Sequence, residues 1–570
     1  MIIKRIVPSF IHLAKNHKSL AFLIPYACIM IFLGLSNAVL QTDEGGDTYI
    51  SSTILKYGIP YHQDELNSTM EHARVREDGL FIYRTWIPYY LQASSLFILG
   101  KTTFAARLPF AALGVTSAIA LYFFTLKLIR KKTVAFLATL FLISSVPALI
   151  YFRTARYVGL PILLTILLLY SYITIFDKKK WNPWPITIIS IIYFHTMYVS
   201  FAGIILGVLV HFYINRKSTA PDNYKRVTQA AIITSIFTLP WLWFIFPIFE
   251  KIPEFYIAQG DQIDISSGWR FLKHFAGFIF QLNNYIFPLI LLPLLFMRSL
   301  RTYKNEIQLC LICTSSLIGV SLLNTIPFQQ YLAGSFPLLS ILLALIIIEG
   351  LSVHSIVRST LTATLIFTNL IHVGPLLSIK ETLGNNSKLF SKSFYMKSTY
   401  NTFMREVKLK SVFYQHLLEI SNPYKGPLDK IIVFFKTNGK SGDSCYIDNE
   451  HESLAYYTEM KVIHRDEIKL EDVPNWIVLR GDYRHVVEEN SPSPIAQNLR
   501  KILNKHAYSK IELDAPAIRV NNTYDIQIHR FLAPSSPDKV IIYKLDHPSN
   551  NNNTRIPTMK LIIQIPCLNK

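Results

Sequence analysis

Apolar runs alternate with short polar links from residue 19 to about residue 378, and then the pattern stops. A helix needs about 20 apolar residues to cross a bilayer. The first such run, 19–40, is long enough and predicts a span. A long polar stretch, 41–104, follows it. Within that stretch 47–57 predicts a short amphipathic helix stopped by Gly58 and Pro60. Residues 86–99 are apolar but too few to cross, and predict an interfacial or re-entrant helix. Further spans are predicted over 105–126, 133–151 and 158–176. Residues 183–214 have basic flanks at both ends and predict a hairpin of two short spans with its apex near His195. A span over 228–249, a loop at 251–283 and a span returning to Arg298 come next. Residues 306–324 and 328–348 predict a second hairpin turning near Pro327 to Tyr331, and 357–378 the last span. The expectation is a polytopic α-helical membrane protein of about 11–13 transmembrane helices.

Beyond residue 380 the long apolar runs give way to short strand-like ones at 430–435, 475–479, 524–528 and 540–543. Helix-like segments at 399–420 and 493–505 lie among them. The chain thus divides into a membrane domain, 1–379, and a C-terminal α/β soluble domain, 380–570. Asn67, Asn385, Asn521 and Asn552 open glycosylation sequons, which matter only where a host glycosylates that face.

Charge orients this arrangement. Residues are 51% hydrophobic and mean hydropathy is +0.29, which excludes an ordinary soluble protein. The net charge of +20 would suggest nucleic acid, but its position argues for membrane orientation instead. The proposed inner segments hold 19 Lys and Arg against 3 Asp and Glu, and the outer loops 10 against 11. By the positive-inside rule the N-terminus is cytoplasmic and both the 41–104 loop and the C-terminal domain lie outside. The 19–40 run lacks a small-residue cleavage site and reads as a retained anchor. Cys310 and Cys313 have CxxC spacing but sit in an apolar helix without a second pair, which favours packing over metal or redox chemistry.

This topology gathers polar residues from several loops and span ends on the outer side: Asp43, Glu44, Asp47, Arg74, Arg76, Arg84, Arg153, Arg156, Tyr157, His195, Gln330 and Tyr331. Ionisable groups at membrane depth are functional candidates by default. Acids alone would suggest cation binding; acids beside arginines suggest a reaction that needs a base and an anion site. Glycosyl transfer from a lipid phosphate has those needs. A carboxylate takes the proton from an acceptor hydroxyl, and a guanidinium fork matches phosphate oxygens. Competing readings are a solvated span end for Asp43 and Glu44, snorkelling anchors for Arg153 and Arg156, a structural histidine at His195 and an aromatic-belt residue at Tyr331.

Four blocks resemble one family. They are Asp43-Glu44 with Tyr49 to Pro60, Pro88 to Ala93 followed by Ala105-Ala-Arg107-Leu-Pro109, Tyr151-Phe-Arg-Thr-Ala-Arg156-Tyr157, and Gln330-Tyr331-Leu332 to Pro337-Leu338. Their order and spacing over residues 20–350 resemble the GT-C membrane glycosyltransferases, in the branch of protein O-mannosyltransferases and lipid A aminoarabinose and galacturonic acid transferases. Three departures stand out: no acid follows Arg156, Trp86 and Ile87 stand where Lys or His usually precedes the Pro of the second block, with Arg84 the nearest cation, and Gln330 stands where Arg is usual. The resemblance implies the GT-C fold and an inverting transfer from a polyprenyl-phosphate sugar to a glycan, lipid or protein acceptor. Asp43 would be the base, with Glu44 beside it. Asp47, Arg84, Arg153, Arg156, Tyr157, His195, Gln330 and Tyr331 would bind substrate. No soluble cofactor and no nucleic-acid partner is implied, and a divalent metal is left open. The expected setting is the periplasmic face of a bacterial inner membrane. The rivals are a transporter or flippase of lipid-linked sugars and a non-catalytic assembly factor.

Overall fold

The computed structural model describes residues 17–546 apart from 70–75, 77, 178–180, 259–267, 325, 352–353, 374–408, 423, 459, 464–467, 481–486, 488–492, 519–525, 527–528 and 530. Arg74 and the sequons at Asn385, Asn521 and Asn552 lie outside the described residues, as does most of the strand expected at 524–528.

Helix α1, Lys18–Phe32, leads through a non-helical link to α2, Asp43–Tyr57, which ends at Gly58 in the left-handed conformation. Glycine enters that region without a Cβ clash, so the helix stops there as read. Helix α3, Ile87–Leu99, has Pro88 in its first turn. Helix α4, Thr103–Ile129, starts where the Thr102 hydroxyl accepts the N–H of Ala105. The run expected as one span at 133–151 is two helices, α5 (Lys132–Ser144) and α6 (Val146–Arg153), bent by 64°. Pro147 explains the break: it offers no N–H and its ring would clash with the carbonyl one turn back, so it sits in the first turn of α6 after an extended Ser145.

Next come α7, Leu160–Asp177, and the hairpin of α8 (Trp184–Phe194) and α9 (Tyr198–Asn215), whose apex holds His195 as expected. Helix α10 runs Pro221–Ala258. Helix α11, Gly268–Tyr285, occupies much of what reads as an outer loop at 251–283. It meets the 3-10 segment Leu289–Phe296 at 85°, with Pro288 between them. The loop reading failed because Lys273, His274, Gln281, Asn283 and Asn284 dilute an apolar run whose periodicity is helical. Helices α12 (Lys304–Ser321), α13 (Phe336–Leu345) and α14 (Ser355–Phe367) follow, with the short α15 (Leu370–Val373). Among the described residues five helices are long and apolar enough to cross a membrane. Two bent pairs and four shorter apolar helices, Ile87–Leu99 among them, accompany these.

Packing of α9 on α12 follows from two glycines. A Cβ on Gly203 or Gly207 would lie 2.6 Å from the backbone of Leu317 or Cys313. Small residues four apart let membrane helices approach closely. Cys310 and Cys313 are buried free thiols on the facing helix, in the packing role their surroundings suggest.

The C-terminal part is α16 (Val412–Ser421), α17 (Pro427–Asn438), β1 (Ser444–Ile447), α18 (His451–Tyr457), β2 (Lys461–Ile463), β3 (Trp476–Leu479), α19 (Pro494–Lys505), β4 (Tyr508–Pro516) and β5 (Lys539–Leu545). Strand order is β2-β1-β3-β5-β4, with β2, β1 and β3 parallel and β5 and β4 antiparallel. Cys445 and Ile447 face α17 and α18 while Tyr446 faces α19, as a period of two requires. The expected strand at 430–435 is instead α17. Its buried residues Leu428, Ile431, Ile432 and Phe435 fall at i, i+3, i+4 and i+7, a helical stripe that a short β-branched run disguises.

Candidate active site at the start of the second helix

Thr42 precedes α2 with a φ of 51° and a ψ of −135°. A β-branched residue at positive φ is a genuine outlier, and such strain collects at functional sites. It starts the helix so that two acids fall in the first turn, where the positive end of the helix dipole favours them.

Those acids then diverge. Glu44 is buried and accepts a two-point contact from Arg107, Nε to Oε1 and Nη2 to Oε2, both 2.7 Å. The N–H of Ala155 adds a third hydrogen bond to Oε1 at 2.7 Å. Arg107 also donates through Nη1 to the carbonyls of Leu35 (2.8 Å) and Ala38 (2.9 Å), tying the link ahead of α2 to α4. Asp47, one turn on, is also buried. Its Oδ1 accepts from Arg84 Nη1 at 2.5 Å and Tyr89 Oη at 2.9 Å, and its Oδ2 from Arg156 Nε at 2.9 Å. Asp43 differs: its side chain is 49% exposed, against 4% for Asp47, and its Oδ2 lies 3.1 Å from Arg156 Nη2. The Tyr157 ring lies under both guanidinium groups, 5.3 Å from that of Arg156 and 5.5 Å from that of Arg84. Gln92 pins α2 to α3, taking the Ser51 hydroxyl at 2.6 Å and donating to Thr48 at 2.8 Å.

Asp43, Glu44, Asp47, Arg84, Arg156 and Tyr157 therefore form one cluster. The other expected residues stand apart to different degrees. Arg153 donates through Nη1 to the carbonyls of Ile31 (2.8 Å) and Met30 (3.2 Å), at the C-terminal end of α1. A cation there satisfies orphan carbonyls and matches the dipole. With Glu44 and Arg107 it lines a second cavity of about 130 Å³, shared with His416, Glu419 and His529 of the C-terminal domain. Burial pushes the His416 imidazole down to about 4. Burial would raise Glu419, but His529 and His416 hold it well below the ordinary carboxylate range. His195 donates Nε2–H to the carbonyl of Phe237 at 3.1 Å and packs on Trp241, whose ring in turn meets Trp86. That is the structural role weighed as its competitor. Gln330 is buried in the 3-10 segment Gln329–Ser335, which packs on Tyr157–Gly159; its Oε1 has no hydrogen-bond partner among the described residues. Tyr331 is half-buried with its ring 6.3 Å from that of Phe328. Arg76 pairs with Asp78 away from the cluster.

Sequence reading passed over Arg107 and Tyr89 as site residues. An arginine in the second turn of a 27-residue apolar helix was the available signal for Arg107. Tyr89 had none, because a tyrosine near a membrane surface reads as a belt residue. Among the described residues no group of three or more His, Cys, Asp or Glu is arranged to hold a metal ion.

No protein-family model matches the chain, and no curated protein matches it by sequence. Solved structures do. The crystal structure of ArnT from Cupriavidus metallidurans bound to undecaprenyl phosphate superposes with a TM-score of 0.53 at 12% identity, covering 92% of this chain and 98% of that one. Its apo form gives a TM-score of 0.52 at 11% identity, covering 83% and 94%. Agreement over most of this chain and nearly the whole length of the matched one shows that this chain has the GT-C fold of membrane glycosyltransferases.

Proposed function

We propose that the protein transfers a monosaccharide from a polyprenyl-phosphate donor to a hydroxyl acceptor, inverting the anomeric centre, with Asp43 as general base. One observation carries this reading: of three carboxylates in the first two turns of α2, Asp43 alone has a half-exposed side chain, while Glu44 and Asp47 are buried against arginines.

The chemistry follows from that split. Asp43 takes the proton of the acceptor hydroxyl as its oxygen attacks the anomeric carbon. The bond from that carbon to the phosphate oxygen breaks, and polyprenyl phosphate leaves with the electron pair. Arg84 and Arg156, stacked on Tyr157 and fixed by Asp47, supply positive charge to the departing phosphate. Glu44 serves by holding Arg107 and the turn before α2, a positioning rather than a proton-transfer role. Undecaprenyl phosphate in the related crystal structure supports an isoprenoid carrier. The steps need no soluble cofactor. The site lies on the outer face if the basic links are cytoplasmic, which in a bacterium is the periplasmic side.

The test uses the full chain in lipid nanodiscs with a panel of polyprenyl-phosphate sugars and an acceptor extract. Released polyprenyl phosphate is followed by mass spectrometry. Wild type should release it only with acceptor, and Asp43→Asn should lower the rate by about 10²–10⁴-fold, the range of general-base catalysis. Tight lipid binding by both proteins without release, across several acceptors, would replace this reading with transport.

A further inference from the structure

The link 33–42 sets where Asp43 sits, yet it is neither helix nor strand. Several of its backbone groups are satisfied from outside. Arg107 takes the carbonyls of Leu35 and Ala38. The next two N–H groups go to the C-terminal domain, about 390 residues away in sequence. Val39 donates to Asp429 Oδ1 at 3.1 Å and Leu40 to the Tyr457 hydroxyl at 3.1 Å. Asp429 is fixed in turn, its Oδ2 accepting from the N–H of Gly426 at 2.8 Å. The Tyr457 hydroxyl also meets Thr103 Oγ1 at 2.5 Å, one turn before Arg107. Burial pushes the Tyr457 phenol up to about 12, so it keeps its proton while its oxygen accepts from Leu40 and shares a hydrogen bond with the Thr103 hydroxyl.

A second contact holds the helix itself. Gly45 faces α18, and a Cβ there would lie 1.9 Å from Ser453 Oγ. Glycine is a poor helix former; here it gives α18 room to lie directly on the first turn of α2.

We propose that the C-terminal domain positions the base: Asp429, Tyr457 and Ser453 are positioning residues that hold 39–45 so that Asp43 meets the bound substrates. This rests on the reading of Asp43 above. An ordinary domain contact would alter stability and leave the turnover of the folded protein unchanged. A positioning contact lowers kcat while the affinity for polyprenyl phosphate stays put, because a shift of about 1 Å in a reacting group costs about 10²-fold.

The decisive experiment is size complementation in the full chain in nanodiscs. Gly45→Ala should lower kcat by about 10²-fold with polyprenyl-phosphate affinity within twofold of wild type, and adding Ser453→Gly, which removes the Oγ and Cβ in the way and leaves only Cα at 3.2 Å, should restore most of it. Tyr457→Phe, nearly isosteric, should lower kcat too. It should also speed amide deuterium exchange at 39–46 while β1, β3 and β5 keep their protection. Wild-type turnover in Gly45→Ala, or a loss that Ser453→Gly leaves unrepaired, overturns the proposal. If wild type itself transfers no sugar, the functional reading fails and the exchange data still decide the clamp. Faster exchange at 39–46 in Gly45→Ala, reversed by Ser453→Gly, supports it, and unchanged exchange refutes it.

Discussion

Among the described residues two arginines each hold two carboxylates, and they differ in one respect. Arg480, in the C-terminal domain, has its Nε 3.1 Å from Asp448 and its Nη1 2.9 Å from Glu450, and all three side chains are at most 1% exposed. Arg156 has Asp47 at 2.9 Å and Asp43 at 3.1 Å, and Asp43 is half in solvent. The Arg480 triad lies where β1 and β3 end, and its Nη2 also donates to the carbonyl of Asn449 at 3.0 Å. A sealed triad joins two strand ends and reaches no ligand. An open one leaves a carboxylate within reach of a substrate hydroxyl. Composition is nearly the same in the two; access to solvent separates a structural clamp from a candidate catalytic group.

The comparison can be broken from either side. The largest effect belongs to the open site, where Asp43→Asn should lower sugar transfer by about 10²–10⁴-fold with thermal stability nearly unchanged. The reverse pattern belongs to the sealed site. Arg480→Met leaves Asp448 and Glu450 buried without their cation, which should cost about 3–5 kcal/mol, read as loss of the C-terminal domain's protection in hydrogen exchange. Equal effects of the two changes on activity and stability would end the distinction.

A third test uses the cavity where Glu44 and Arg107 meet the C-terminal domain. His416 titrates near 6.5 unfolded and near 4 folded, so the unfolded chain binds more protons between those values. Its contribution is fully present above pH 6.5 and is lost as pH falls toward 4, by about 3 kcal/mol. Glu419, held low when folded, adds to the loss on the same acidic side. Melting temperature between pH 7 and 4 should therefore drop less steeply in His416→Phe than in wild type. The smallest effect is at the exposed pair of Lys131 and Glu349, 2.6 Å apart. Lys131→Ala should change stability by less than about 1 kcal/mol in urea titration, since Lys131 is half in solvent already.

Much of the fold was legible because a bilayer is a harsh solvent: apolar length and basic links set helix positions with little help from neighbours. The hairpin apex at His195, the short helix at 87–99 and β3 and β5 came out where the pattern put them. Prediction failed where local signals were ambiguous. The run at 430–435 is apolar and β-branched, and the sheet beside it decided that it is a helix. Strands β1, β2 and β4 are short or polar enough that pairing defines them more than propensity does.

The site divides in the same way. Sequence alone placed Asp43, Glu44 and Asp47 just past the first span and set arginines at the ends of others, because charges cannot rest in hydrocarbon. It could not apportion them. Which acid meets which arginine, and which stays open to solvent, depends on contacts between residues far apart in sequence, such as Glu44 with Arg107 and Asp47 with Arg156. The link before α2 depends on residues still farther away, Asp429 and Tyr457, whose significance appears only once the chain has folded back on itself. Burial is a property of the folded surface, and burial separates Asp43 from its two neighbours.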